Sequence, residues 1–329
     1  MYVRKGAVRI AALSVMALLP LAGSKSGKST VATGTPVLWR DPGADLNLYY
    51  GAGGRDREPR GPFTFIKEDE RGSSPKYTVR DAAGVKWKIK LGLEARPETA
   101  ASRLVWAAGY FANEDYLVPE LRVDGLPAHL KRHKLIEPGG VMRNARLKRE
   151  SSGEEKVGRW SWDDNPFRGT REWNGLRTMM ALLNNWDVKD ENNAILRQDG
   201  ELIYLVSDIG ATFGAPGRSW PASRSKDNLK RYSASRLVCS EHDTFVDFCS
   251  PSRASIAHLV DPREFHRRLK LRWIGRDIPR ADAKWIGAVL SRLSSRQIHD
   301  AFRAAGYSPA EIEGFAGAVE QRIADLTDL

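Results

Sequence analysis

The stretch Asn185-Trp186-Asp187-Val188-Lys189-Asp190-Glu191-Asn192-Asn193-Ala194-Ile195-Leu196, followed by Tyr204-Leu205-Val206-Ser207-Asp208-Ile209-Gly210, decides how this chain is read. Asp187, Lys189 and Asn192 stand at offsets 0, 2 and 5 just before a short apolar run that reads as a strand. A second apolar strand then delivers Asp208 against Gly210, so a hairpin brings both sets to one mouth. Phosphoryl transfer calls for such a set. It needs a carboxylate to take the acceptor's proton, a lysine near the transferred phosphate, and an amide with a carboxylate to hold Mg²⁺.

Upstream, residues 85–91 alternate strictly. Val85, Trp87, Ile89 and Leu91 lie on one face and Lys86, Lys88 and Lys90 on the other, which predicts a strand with one basic face. Pro97-Glu98 opens a helix in which Leu104, Val105 and Ala108 recur at helical spacing, and Gly109 stops it. Strands are also expected at 63–66, 77–79, 116–124 and 141–149, with turns at 72–75 and 82–84. Beyond residue 150 the pattern becomes helical. Leu176, Met179, Met180 and Leu183 share one face, Trp285, Val289 and Leu293 a second, and Ile312, Phe315, Val319 and Ile323 a third. Strands early and helices late predict an α+β chain in two lobes, 63–150 and 151–329.

The pattern Asp-x-Lys-x-x-Asn followed by Asp-x-Gly resembles the catalytic and metal-binding loops of the protein-kinase-like superfamily. The turn Gly72-Ser73-Ser74-Pro75-Lys76 is closest in style to the phosphate loop of HipA-type and phosphatidylinositol-kinase-like atypical kinases. The resemblance implies a bilobal kinase-like fold, with an antiparallel sheet and one helix in the N-lobe and a mainly helical C-lobe. It implies ATP and Mg²⁺ as cofactors, Asp187 as base and Lys189 on the γ-phosphate. Asn192 and Asp208 would hold the metal, Lys90 with Glu98 the α- and β-phosphates, and Gly72, Ser73, Ser74 and Lys76 would cover them. Lys88 shares the face of Lys90 and competes for its role. Lys90→Met is expected to leave folding nearly intact while weakening nucleotide binding. Asn185-Trp186 replaces the usual His-Arg before the catalytic aspartate, which removes the arginine that reads a phosphorylated activation loop, and Ile209 replaces a Phe. The function expected is an exported phosphotransferase acting on a hydroxyl acceptor, a protein or a small molecule. The alternative is a nucleotide-binding or catalytically dead relative that serves as an interaction protein of the cell envelope.

The remaining composition bounds these readings. The chain has 329 residues, 41% hydrophobic with ten Trp, which is enough for a large core. Lys and Arg number 52 against 41 Asp and Glu, a net charge of +11, but no basic block is interleaved with aromatics, so nucleic acid is not an expected partner. Residues 1–23 combine Arg4, Lys5 and Arg9 with the apolar run 10–21 and small residues at 22–24, the form of a secretory signal peptide. The chain is therefore expected in the periplasm or outside the cell, with no transmembrane segment after cleavage. Residues 24–62, rich in Gly, Ser, Pro and charge, read as a flexible lead-in. Cys239 and Cys249 are expected to form a disulfide in an oxidising compartment; a zinc set with His242 and His258 is the weaker option, and His129 and His133 lack the glutamate of a metalloprotease motif.

Overall fold

The alternating segment 85–91 forms strand β4 (Lys86–Lys90) of a nearly closed barrel. In the computed structural model, which describes residues 33–70, 74–150, 155–215, 226–249 and 273–329, β4 lies between β3 (Lys76–Arg80) and β7 (Val141–Glu150). The ring continues from β3 to β2 (Phe63–Asp69), then to β5 (Asp115–Asp124) and back to β7, while the short β6 (Ile136–Glu137) adds to β7. Each ring pairing is antiparallel except β2 with β5, which run parallel and pair only at Phe63–Val123 and Thr64–Asp124. The antiparallel sheet that the resemblance implies is curled on itself. Closure follows from the period-two pattern: Tyr77, Val79, Trp87, Ile89, Leu121, Met142 and Leu147 all point inward and leave water together.

The polar face of β4 is left outside. Its neighbours are set by register: Lys90 stands opposite Lys76 and Arg146, Lys88 opposite Thr78 and Lys148, and Lys86 opposite Arg80 and Glu150. Helix α1 (Ala95–Ala107) covers only the Lys90 end of this face, so burial increases along the basic stripe from exposed Lys86 to fully buried Lys90. Helix α1 ends where Gly109 takes φ 93°; a Cβ there would lie 2.3 Å from both the Arg40 carbonyl and the Trp39 indole nitrogen.

The packed body begins earlier than the sequence indicates. Strand β1 (Thr35–Val37) pairs in parallel with β10 (Glu201–Leu205), Leu38 and Leu48 are buried, and the Trp39 indole donates to the Ala108 carbonyl at 2.7 Å. Much of the stretch 33–62 is therefore held in place. A composition rich in glycine and proline reads as a flexible lead-in, but Leu38 and Leu48 are buried in the core and Trp39 and Leu46 pack against it. β10 also pairs with β9 (Ala194–Gln198), and β9 with β8 (Glu155–Gly158).

The rest is helical, as the periodicity predicts. Helix α2 (Arg171–Leu182) is capped by the Thr170 hydroxyl, which accepts from the Trp173 amide at 3.2 Å. After the short α3 (Leu229–Ser233) come α4 (Arg280–Leu290), α5 (Ser295–Arg303) and α6 (Pro309–Thr327), the last two opened by capping boxes at Ser294/Gln297 and Ser308/Glu311. Leu176, Met179, Met180, Phe302, Phe315 and Val319 share a core distinct from the barrel's, and α1 contributes Ala100, Ala101 and Leu104 to it. Cys239 in β11 (Val238–Glu241) is bonded to Cys249, just after β12 (Phe245–Phe248), with Cα atoms 4.9 Å apart. Both thiols are thereby removed from any zinc set, and His242 stacks on Phe245; His258 lies outside the described residues. Among the described residues no helix is long and apolar enough to cross a membrane. Residues 1–23, read as a signal peptide, lie outside them.

Candidate active site

The loop between α2 and β9 is held from below and presents its polar residues upward. Asn184 donates to the Gly214 carbonyl at 2.7 Å and to the Ser235 hydroxyl at 2.8 Å. Asp190 accepts from the Trp162 amide at 3.0 Å and the Ser161 hydroxyl at 2.9 Å, and the Asn193 amide reaches the Trp160 carbonyl. Between these anchors, Lys189 donates to Asp187 Oδ2 at 2.8 Å. Asp187 Oδ1 is buried and has no hydrogen bond, and the Asp187 amide is held by Asn185 Oδ1 at 3.2 Å.

Strand β10 runs on to Asp208, a non-glycine residue at φ 57°, whose carboxylate contacts the Lys90 ammonium. The turn after it is pressed against the start of α1. A Cβ at Gly210 would meet the Glu94 Cβ at 2.8 Å and the Glu94 carbonyl at 3.0 Å, so close approach explains why glycine stands two residues after Asp208.

Lys90 and Glu98, each 1% exposed, meet at 2.6 Å, and Glu94 reaches the same ammonium at 3.1 Å. Lys88 instead turns to Glu150 at 2.5 Å, so Lys90 is the strand lysine that faces the helix. Glu98 is shared: Arg146, from the neighbouring strand β7, donates to the same oxygen at 2.8 Å and lies 3.4 Å from buried Asp115. Glu94 is shared too, between Lys90, Lys226 and the Ser74 hydroxyl. Arg146, Asp115, Glu94 and Lys226 were not singled out from sequence. Arg146 could have been found by aligning 141–149 against 85–91, because Lys90 and Arg146 stand opposite each other in that register.

The electrostatics follow from this crowding. Burial disfavours the Lys90 ammonium, yet Glu98, Asp208 and Glu94 outweigh it and hold its pKa above the ordinary lysine range. Burial likewise disfavours the carboxylates, but Lys90 keeps Asp208 well below the usual range, and Lys90 with Lys226 brings Glu94 to about 2. Asp115 moves the other way, because burial raises it more than Arg146 lowers it. Two register positions farther along, burial and the Arg146 charge pull Lys148 down to about 8.

A cleft of about 570 Å³ joins the two walls. Lys76, Lys90 and Glu98 line it from the barrel side, and Lys189, Asn192 and Asp208 from the other. The Ser74 hydroxyl donates to Glu94 at 3.3 Å, and the Ser74 carbonyl accepts from Arg132 at 2.8 Å. Gly72 and Ser73 lie outside the described residues. The Asp208 carboxylate and the Asn192 amide on the same cleft suit Mg²⁺, which keeps waters and takes most of its remaining ligands from phosphate oxygens.

No protein-family model matches the chain, and no curated protein matches it. Kinases are among the solved structures that overlap it. A Helicobacter pylori proinflammatory kinase, CtkA, is 12% identical with a TM-score of 0.45, covering 80% of this chain and 96% of that one. The Golgi casein kinase is 10% identical at 0.31, covering 80% and 74%. An amicoumacin kinase in complex with AMP-PNP, Ca²⁺ and Ami is 13% identical at 0.23, covering 82% and 90%. Overlaps below 0.5 carry no argument about function, which rests on the side chains described above.

Proposed function

We propose that the chain is an exported, Mg²⁺- and ATP-dependent phosphotransferase of kinase-like type, acting on a hydroxyl acceptor. The observation that carries this reading is the Lys90 ammonium, buried between Glu98 and Asp208 and facing Lys189 and Asn192 across one cleft. A structural ion pair needs only one carboxylate, and burying several charged groups together is costly unless a function retains them.

In the reaction, Lys90 and Lys76 would bind the α- and β-phosphates, with Glu98 orienting the Lys90 head. Lys189 would neutralise charge on the transferred group. Asp187 would accept the acceptor's proton as the acceptor oxygen bonds to the γ-phosphorus and the bond to the leaving diphosphate oxygen breaks. Mg²⁺ held by Asn192 and Asp208 would screen the phosphate oxygens during that exchange. The segment 72–76 would cover the phosphates, with Ser74 already tied to Glu94. Export is supported by the form of residues 1–23 and by the Cys239–Cys249 bond, which belongs in an oxidising compartment.

The test is phosphate transfer from γ-labelled ATP by the full chain, offered protein and small-molecule hydroxyl acceptors with Mg²⁺. Label should move with the wild type and not with Asp208→Asn. Equal transfer by both would overturn the assignment. Binding of nucleotide without transfer to any acceptor would favour the nucleotide-binding interaction protein instead.

A further inference from the structure

Beyond the cleft just described, a second cavity of about 680 Å³ opens along the same barrel wall. The two share Lys88, Lys148, Lys156, Asn192 and Ser207, so one runs into the other. Among the described residues lining the second cavity, six are cations (Arg80, Lys86, Lys88, Lys148, Arg149 and Lys156) and one is a carboxylate, Glu150. The phosphotransfer scheme above uses none of these.

Lys156 has a partner, and the charge on the other five cations is only partly compensated. Glu150 is already taken by Lys88. Among the described residues Arg149 has only Glu114 as an ion-pair partner, at 4.0 Å, and Arg80 donates to the Gly84 carbonyl at 3.1 Å. Lys86 and Lys148 have no ion-pair partner among the described residues. Lys88 and Lys148 stand directly opposite each other on β4 and β7, a cross-strand arrangement in which like charges destabilise a sheet. A merely solvated surface would spread such charges apart or alternate their signs. Here they converge on a concave wall, where low-dielectric surroundings focus the field.

We infer that this second cavity binds a compact small molecule carrying several phosphoryl groups. The excess of cations over carboxylates calls for several negative charges within one small volume. Lysine and arginine are the side chains that meet phosphate oxygens with charge-assisted hydrogen bonds. The cavity's hydroxyl and amide, Ser207 and Asn113, are bonded to each other at 2.7 Å and add polar atoms beside the cations. Arg80, Lys86 and Arg149 line this cavity and not the first, so the inference does not require the phosphotransfer reading.

The experiment is calorimetric titration of the full chain, without nucleotide, using inositol hexakisphosphate and inorganic tripolyphosphate as probes. It compares wild type, Lys86→Gln/Arg149→Gln in the second cavity, and Lys76→Gln in the nucleotide cleft. At least one probe should bind wild type and Lys76→Gln alike and bind the double variant tenfold or more weakly, with affinity falling as salt is added. Tighter binding of the inositol compound would mark a ring-borne phosphate cluster, and tighter binding of tripolyphosphate a linear chain; either supports the inference. Absence of binding by both probes at low salt would overturn it. So would binding that Lys76→Gln abolishes and the double variant leaves unchanged, since the anion would then occupy the nucleotide cleft.

Discussion

Lys90 and Lys148 project from adjacent strands of one barrel wall, two register positions apart, yet their surroundings are opposite. Three carboxylates converge on Lys90, and its ammonium is stabilised. Lys148 faces Lys88 and neighbours Arg146, and its ammonium is disfavoured. The difference comes from what covers each residue. The start of α1 supplies Glu94 and Glu98 over Lys90, and the turn after β10 supplies Asp208, whereas at Lys148 the wall opens into a cavity. One end of the stripe satisfies its own charge, and the other leaves its charge for a ligand.

The same substitution at the two positions should therefore give opposite results. Lys90→Met removes the cation that three carboxylates share, leaving Glu98 to Arg146 and Glu94 to Lys226, and should cost about 3–5 kcal/mol of stability, read by urea unfolding. This corrects the expectation from sequence that folding would be nearly intact; Lys90 is too deeply buried and too fully paired for that. An unchanged midpoint would dissolve the contrast. Asp208→Asn keeps the shape of the Lys90 end and removes one of its charges; under the proposed function it should lower turnover about 10²–10³-fold. A loss smaller than tenfold would separate the Lys90 cluster from catalysis.

Lys148→Met should stabilise the protein at neutral pH by about 1–2 kcal/mol, since it removes an unpaired charge from a half-buried site. The sign follows from proton binding. With its folded value near 8 against an unfolded 10.5, Lys148 holds fewer protons in the native state between those values, so its destabilising effect is full below pH 8 and fades as pH rises toward 10.5. The gain in melting temperature on mutation should shrink over the same window. Arg146, Lys88, Asp115 and Glu98 are the charged groups that set it. A gain that grows above pH 8 would contradict the assignment.

The smallest effect is on the acid side. Glu94, at about 2, contributes stability that is complete above its unfolded value of 4.5 and is lost as pH falls toward 2. Glu94→Gln should therefore flatten the acid limb of the stability profile while leaving the alkaline limb unchanged. Unaltered acid sensitivity would mean that Lys90 draws its support from Glu98 and Asp208 alone.

What could be read from sequence was local. The alternation at 85–91, the helix of α1 and its stop at Gly109, the hairpin that carries Asp208 and the pairing of two cysteines ten residues apart each depend on near neighbours. Lys90 meets Glu98 because a strand and the helix after it are joined by a short turn. Arg146 and Lys148 arrive from nearly sixty residues away, through the β4–β7 pairing that closes the barrel, and no local pattern announces that pairing. Residues 35–54 were hidden for a related reason. Their order depends on β10 and α1, which supply the surfaces that Leu38, Trp39 and Leu48 bury against.

The brief pairing of β2 with β5 has its own consequence. Past Thr64 the β2 backbone has a side without a ladder partner, which is the kind of edge that invites a strand from another chain. Two features oppose such recruitment. A bulge between Phe65 and Lys67 breaks the flat repeat an incoming strand would need, and the run Lys67-Glu68-Asp69 makes the edge charged. Glu68 also binds the Lys131 and Arg132 amides at 3.0 Å each, drawing that loop toward the seam. The lobe can thus remain incompletely closed without offering the β2 backbone to a neighbouring strand.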